Sequence, residues 1–244
     1  MTLQMNTFFC YHAEKKYMED LSKDLLKFPK KPENDTSLFL GKIHSRNCQP
    51  LYLSDYSDRW NAYGTGYAWA LKVLLNQATQ RNYPTETHYY PIIFVFRQYL
   101  EIRLKNLIIN LNEYLGENEN IIDHNLEKLW ASSNKLLIQF FKNDENSLAD
   151  EEVSKEFHDD LNLIGKFVLE IHKLDPTSQA LRYPISKKNR NPNFFNSQHA
   201  PKIDMNHFSK NVHWVIDSLE TLQYMIDEQY QKRCAAEWDS EHSD

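Results

Sequence analysis

The sequence predicts an all-α protein: an antiparallel bundle of four to five long helices, with an N-terminal arm and a long basic loop before the last helix. Three observations predict it. Apolar residues recur at three- and four-residue steps through most of the chain. Only 5 glycines and 9 prolines occur in 244 residues, too few for the many tight turns of a sandwich or barrel. Hydrophobic residues at 41% and charged residues at 25% place the chain among packed globular proteins rather than disordered ones.

Residues 1–50 read as an arm, with one short helical candidate from Glu14 to Phe28 before the PKKPEND turn. The bundle is expected over 51–232. Its first helix runs from Asp55 to Gln80, with Trp60, Tyr63, Tyr67, Leu71, Leu74 and Leu75 at helical spacing. The RNYPTE stretch ends it. A second helix, His88 to Leu115, is apolar nearly all round, which marks a central position. Gly116 follows where a left-handed, helix-ending residue belongs. A third helix opens at Asp123 or His124 and runs to about Lys142, and a fourth spans Ala149 to Leu174. The last covers Asp204 to Lys232, leaving 233–244 as a flexible tail.

Cys10, Cys48 and Cys234 are odd in number and lack close pairing, which suits reduced thiols and a cytoplasmic location. The longest apolar run, Tyr89 to Phe96, contains Pro91 and is far shorter than the roughly 20 residues that span a bilayer, so no membrane association is expected. The N-terminus lacks the pattern of a secretory signal. No phosphate-cradling, zinc-protease or serine-hydrolase motif occurs, and no cofactor is expected. Gly64-Thr65-Gly66 begins like a dinucleotide fingerprint, but Trp69 stands where the third glycine belongs, so close helix packing explains these glycines better. No histidine has Glu three positions earlier, as di-iron bundles require. Asp204-x-x-His207 is the nearest approach to a ligand pair, and an exposed helix start accounts for it, so no metal is expected.

Two features exceed a generic bundle. Arg97, Glu101 and Lys105 step by four along the central helix. If neighbours enclose this ladder, its charges must pair internally or face a wet cleft able to hold an anion; the alternative is a solvated stripe. The second feature is 176–203, a proline-bearing stretch with Arg182, Lys187, Lys188, Arg190 and Lys202 and no acidic residue. Its charge of +5 within a chain of −6 leaves −11 on the remainder. With Tyr183, Phe194 and Phe195 among the cations, it offers phosphate contact and base stacking to RNA or a nucleotide. A disordered loop that only balances an acidic body is the alternative.

The segments YYPIIFVFRQYLEIRLKNLI (Tyr89 to Ile108), HNLEKLW (His124 to Trp130) and LRYP (Leu181 to Pro184) resemble a bacterial group within the HEPN-like superfamily. The resemblance covers roughly the central half of the chain. It implies an all-α bundle that commonly forms a homodimer. Members act as ribonuclease toxins, as phage-defence effectors, or as noncatalytic nucleotide or protein binders. Arg97, Glu101, Lys105, His124 and Arg182 match the group's polar pattern.

Ribonucleases of the superfamily carry an Arg, a polar residue and, after a short interval, a His, giving a phosphate contact and a proton-transfer group. Arg81 through His88 satisfies that spacing, but with 8 Arg and 10 His in the chain about one such pairing is expected by chance, and it precedes the central helix. His124 is a second candidate acid or base; a ring packed at a helix start is its alternative. The catalytic candidates are thus His124, Arg97, Glu101, Arg182, Arg81 and His88, and the RNA- or anion-binding candidates Lys105, Arg182, Lys187, Lys188 and Arg190. The expected function is RNA or nucleotide binding, with metal-independent RNA cleavage in a toxin or phage-defence system. The competing expectation is a noncatalytic module, an antitoxin or scaffold, that binds a protein partner.

Overall fold

The structure, a computed structural model, describes residues 56–80, 86–143, 151–183 and 202–241. All belong to the second of two compact units, 53–244, so the expected N-terminal arm lies outside the described residues. Among the described residues this unit has five helices: α1 (Tyr56–Gln80), α2 (Glu86–Leu115), α3 (Leu126–Asn143), α4 (Glu151–Leu174) and α5 (Met205–Glu241). No strand occurs among the described residues, and no helix is long and apolar enough to cross a membrane.

Helix α2 is the hub, packing against α1, α3 and α5. Its near-continuous apolar surface buries Ile92, Ile93, Phe96, Leu100, Leu104, Leu107, Ile108 and Leu111, as expected of a helix covered on several sides. It ends at Gly116, whose φ of 69° is the left-handed conformation that glycine adopts without strain. Glu117 N–H then donates to Asn112 C=O at 3.0 Å, closing a Schellman turn.

The five-helix all-α bundle expected from the sequence is present, but its directions are mixed rather than antiparallel throughout. Contacts between α3 and α4 run in opposite directions, with Phe141 on Phe157 and Glu127 near His172. In contrast, α2 and α5 run parallel and in register. Tyr99 meets Ile216, Asn106 meets Gln223, Asn110 meets Asp227 and Glu113 meets Tyr230, each pair 117 positions apart. Helix α3 is also parallel to α2, with Ser133 beside Leu104 and Phe140 beside Tyr114. The physical reason is the link 116–125, long enough to run back along α2. Asn112 pins the returning segment by donating to Glu119 C=O and accepting from Glu119 N–H. The link ends in an N-cap, where Asn125 Oδ1 accepts from Lys128 N–H. His124 therefore precedes α3 instead of opening it.

Two other expectations change. The last helix does not stop at Lys232. Arg233 donates to Tyr114 C=O at 2.7 Å and pairs with Glu237 one turn on, which carries α5 to Glu241. In α1 the buried residues are Gly64, Ala68, Leu71, Leu75 and Ala78, while Tyr63 is exposed. Gly64 does lie in a close helix contact, since a Cβ there would sit 2.8 Å from the Arg103 guanidinium of α2. Gly66 does not: apart from its own helix, no atom of the described residues comes within 4 Å of where its Cβ would stand.

Helices α3 and α4 meet through Gly165, where a Cβ would stand 2.9 Å from Cε2 of the buried Trp130 indole and closer still to Nε1. A rigid ring flanked by packed neighbours has no low-energy way to retreat. Gly165→Ala is expected to destabilise the fold by about 1–3 kcal/mol, read as a lower urea midpoint, despite the better helix propensity of alanine.

Candidate functional site

The returning link brings His124 to the level of Glu101 on α2, and the end of α4 brings Asp175 to the level of Arg97. Arg97 is wholly buried. Its Nη1 donates to Glu101 Oε2 at 2.9 Å, its Nη2 to His124 C=O at 2.9 Å, and its Nε to Asp175 C=O at 3.2 Å. Asp175 Oδ2 lies 3.6 Å from Nε. An enclosed guanidinium must satisfy its donors, because the desolvation it suffers is otherwise uncompensated. Here three separate parts of the chain supply the acceptors.

Glu101 is the second hub. Besides Arg97 it accepts from Lys105 Nζ at 3.1 Å, and its Oε1 lies 2.6 Å from His124 Nδ1. Burial pushes its carboxyl up, but hydrogen bonds from Arg97, His124 and Lys105, with the charge of Lys105, outweigh that and hold it below its ordinary 4.5. The ladder is thus enclosed and paired internally. Two cations, Arg97 and Lys105, balance two anions, Glu101 and Asp175.

One member faces outward. The His124 side chain is 71% exposed, although its Nδ1 is held by a nearly buried carboxylate. A carboxylate on Nδ1 fixes the tautomer with the proton on that nitrogen and leaves Nε2 as the basic atom. This is the arrangement a proton-transfer group needs: orientation from the interior and a lone pair available to a ligand.

Asp175 organises the turn that succeeds α4. Its carboxylate accepts from the N–H groups of Gln179, Ala180 and Leu181, and Ser178 adopts a φ of 59° inside that turn. Ser178 Oγ accepts from Gln98 of α2 at 3.3 Å and from Arg182 at 3.4 Å. The exposed Arg182 lies over the Phe94 ring at 5.6 Å. Phe94 and Glu101 are seven residues apart on one face of α2, so Arg182 and His124 flank the same stripe about 10 Å apart along the axis.

The structure therefore brings together Arg97, Glu101, Lys105 and His124, with Arg182 beside them. His88 is not part of this group, since it precedes Glu101 by thirteen residues, about 20 Å of helix. Arg81, Lys187, Lys188 and Arg190 lie outside the described residues, as do Phe194 and Phe195. Sequence reasoning missed Asp175, Ser178 and Gln98. The Asp-Pro-Thr-Ser run at 175–178 was the available signal, because Asp followed by such residues favours side-chain-to-backbone turns. Asp204 caps α5 through Asn206 and His207 N–H, and no cluster of three or more metal-ligating side chains occurs among the described residues.

Comparisons of the chain with family models, with curated proteins and with solved structures each gave no match.

The buried network has two measurable consequences. Arg97→Ala leaves Asp175 a buried charge without its cation and takes one of Glu101's three partners, and is expected to cost about 3–5 kcal/mol in urea unfolding. Glu101, held below its ordinary value in the folded chain, stabilises the fold above the unfolded value of 4.5, and that contribution is lost as pH falls through the lower folded value. Stability measured below pH 4.5 should therefore fall less steeply for Glu101→Gln than for the parent chain.

Proposed function

We propose that this is an HEPN-like RNA-binding protein that cleaves RNA without a metal, in the setting of a toxin or phage-defence system, and that acts as a homodimer. The single observation that carries the reading is the exposed His124 imidazole bound through Nδ1 to the enclosed Glu101 carboxylate. The basic composition of 176–203 supports it, because phosphate contacts dominate affinity for nucleic acid.

In this mechanism His124 Nε2 takes the proton of a ribose 2′-hydroxyl. The 2′-oxygen attacks the adjacent phosphorus, the bond to the 5′-oxygen breaks, and that oxygen takes up a proton from water. The products are a 2′,3′-cyclic phosphate and a 5′-hydroxyl. Glu101 stabilises the imidazolium that forms. In this reading the exposed Arg182 contacts the phosphate, while Lys105 acts through its bond to Glu101. Arg97, whose three guanidinium nitrogens all bond within the protein, is a positioning residue.

A noncatalytic module is the second reading, favoured by two largely apolar clefts between α4 and α5. They have volumes of about 310 and 370 Å³ and lie on either side of the Phe167–Trp214 ring contact. Replacing Arg182, Lys187, Lys188 and Arg190 by Ser separates the readings: nucleic-acid binding collapses, whereas capture of a protein partner survives.

With single-stranded RNA and a chelator present, the parent chain is expected to generate cyclic-phosphate ends, and His124→Ala to slow this by about 10²–10⁴-fold with its circular dichroism unchanged. A parent chain that neither cleaves RNA nor binds it in a salt-dependent way defeats the proposal.

A further inference from the structure

We infer that Ile122 is a wedge that separates two neighbouring bases of the bound RNA, so that the site selects strands whose bases are unpaired at the point of cleavage. This rests on the RNA-cleaving reading above and names what that site selects.

The link 116–125 runs extended. Glu119 meets Asn112 and His124 meets Glu101. Between those two levels α2 rises about 16 Å, which the five link residues from Glu119 to His124 cover only when extended. Extended chain points successive side chains to opposite sides, and burial follows that period through the whole link. Gly116, Asn118, Asn120, Ile122 and His124 are exposed, whereas Glu117, Glu119, Ile121, Asp123 and Asn125 are partly buried. Ile122 and His124 therefore share one face, about 6–7 Å apart. The three acids of the link are all on the other face, so the outward one carries no side chain that repels a phosphate backbone.

Ile122 is 81% exposed, more than any other large apolar side chain among the described residues. An extended backbone explains a β-branched residue here but not an apolar one, since threonine serves as well without exposing a hydrocarbon surface. Its neighbour Ile121 packs against the core, so Ile122 is not needed to anchor the link.

A wedge must not yield when pressed between bases, and the inward residues hold this one. Glu119 accepts from Ser132 at 2.9 Å and from Lys135 at 2.7 Å, Gln139 donates to Glu117 at 3.1 Å, and Lys128 pairs with Asp123 at 2.9 Å. The segment is thus fastened to α3 at four points. The Ile122 N–H itself donates to Asn120 Oδ1 at 2.7 Å.

The chemistry at His124 gives the wedge its use. The 2′-oxygen must attack phosphorus in line with the departing 5′-oxygen, and a stacked helical backbone holds it out of line. Parting the two bases that flank the phosphate lets the backbone turn into the reactive geometry. Isoleucine is among the side chains that unstack bases by inserting at a step. A single strand loses only stacking there, whereas a duplex loses pairing as well, and that difference sets the preference.

The test uses the full chain and a single-stranded RNA carrying 2-aminopurine, which brightens on unstacking, at each position in turn around the mapped cleavage point. Bound to His124→Ala, which cleaves too slowly to interfere, the probe should brighten at one step, and adding Ile122→Ala should abolish that signal. With His124 intact, Ile122→Ala should lower kcat at least about tenfold with KM little changed. Ile122→Leu, which keeps the bulk, should restore the rate. The urea midpoint of each Ile122 variant should stay that of the parent chain, because the side chain touches little of the fold. The same RNA annealed to its complement should resist cleavage. Base opening and cleavage that survive Ile122→Ala, or a duplex cut as fast as the single strand, overturn this inference and leave the RNA reading standing. So does Ile122→Ala losing capture of a protein partner while cleaving RNA normally, which assigns the residue to a protein interface. A parent chain that neither binds nor cleaves RNA overturns both.

Discussion

The constraint on which the rest depends is the desolvation of Arg97. A guanidinium removed from water keeps its charge and needs an acceptor for its donors. In this fold the acceptors come from Glu101 one turn along the same helix, from the His124 carbonyl at the end of the link 116–125, and from Asp175 just beyond α4. One side chain thus fixes where two connecting segments stand relative to α2. Apolar packing alone would leave both free to shift. The direction of α3 has the same origin, since the link has to return to the level of Arg97 before the next helix begins.

A network that neutralises itself has little left to offer a ligand. Arg97 and Lys105 are matched by Glu101 and Asp175, so the interior ladder exerts its effect through the groups it orients. Those are His124, held at Nδ1 and open to solvent, and Arg182, held by Ser178 and Phe94. The division between a buried, saturated layer and an exposed, oriented one is how functional side chains are held to a fixed geometry while their reactive atoms remain accessible.

Much of this fold was legible in the residues, and the limits have physical causes. Helices announce themselves by spacing, so Leu104, Leu107 and Leu111 or Leu161, Ile164 and Val168 could be placed without coordinates. Helix direction carries no such signature. Whether the ten residues after Leu115 turn or run back depends on Asn112 binding Glu119, a contact between side chain and backbone that periodicity does not encode. The charged ladder was visible as a spacing of four, yet its enclosure was not, because Asp175 lies 78 positions from Arg97. Tyr63 shows a further limit: helical spacing assigns it to α1 but not to a face, because an exposed aromatic ring on the far side has the same period as one facing inward.

Polar contacts also explain why α5 pairs with α2 in a single register. Apolar ridges along two parallel helices interdigitate nearly as well after a slip of one turn, so hydrophobic burial discriminates weakly among registers. Directional pairs do not tolerate the slip. If α5 moved by four residues, the two observed pairs, Asn106 with Gln223 and Asn110 with Asp227, would be exchanged for a single pairing between their members, Asn106 with Asp227 or Asn110 with Gln223. The other two polar side chains would lose these partners in a largely buried seam, at a cost of about 1–3 kcal/mol for each stranded group. Register is therefore set by the least hydrophobic residues of the seam, as a buried polar residue sets register in coiled coils. The same logic governs the opposite side of α2, where Arg97 and Glu101 fix the link and the Asp175 turn. Helix α2 can serve as the hub because it is apolar enough to be covered and carries, on two faces, polar groups that accept only one arrangement of what covers them.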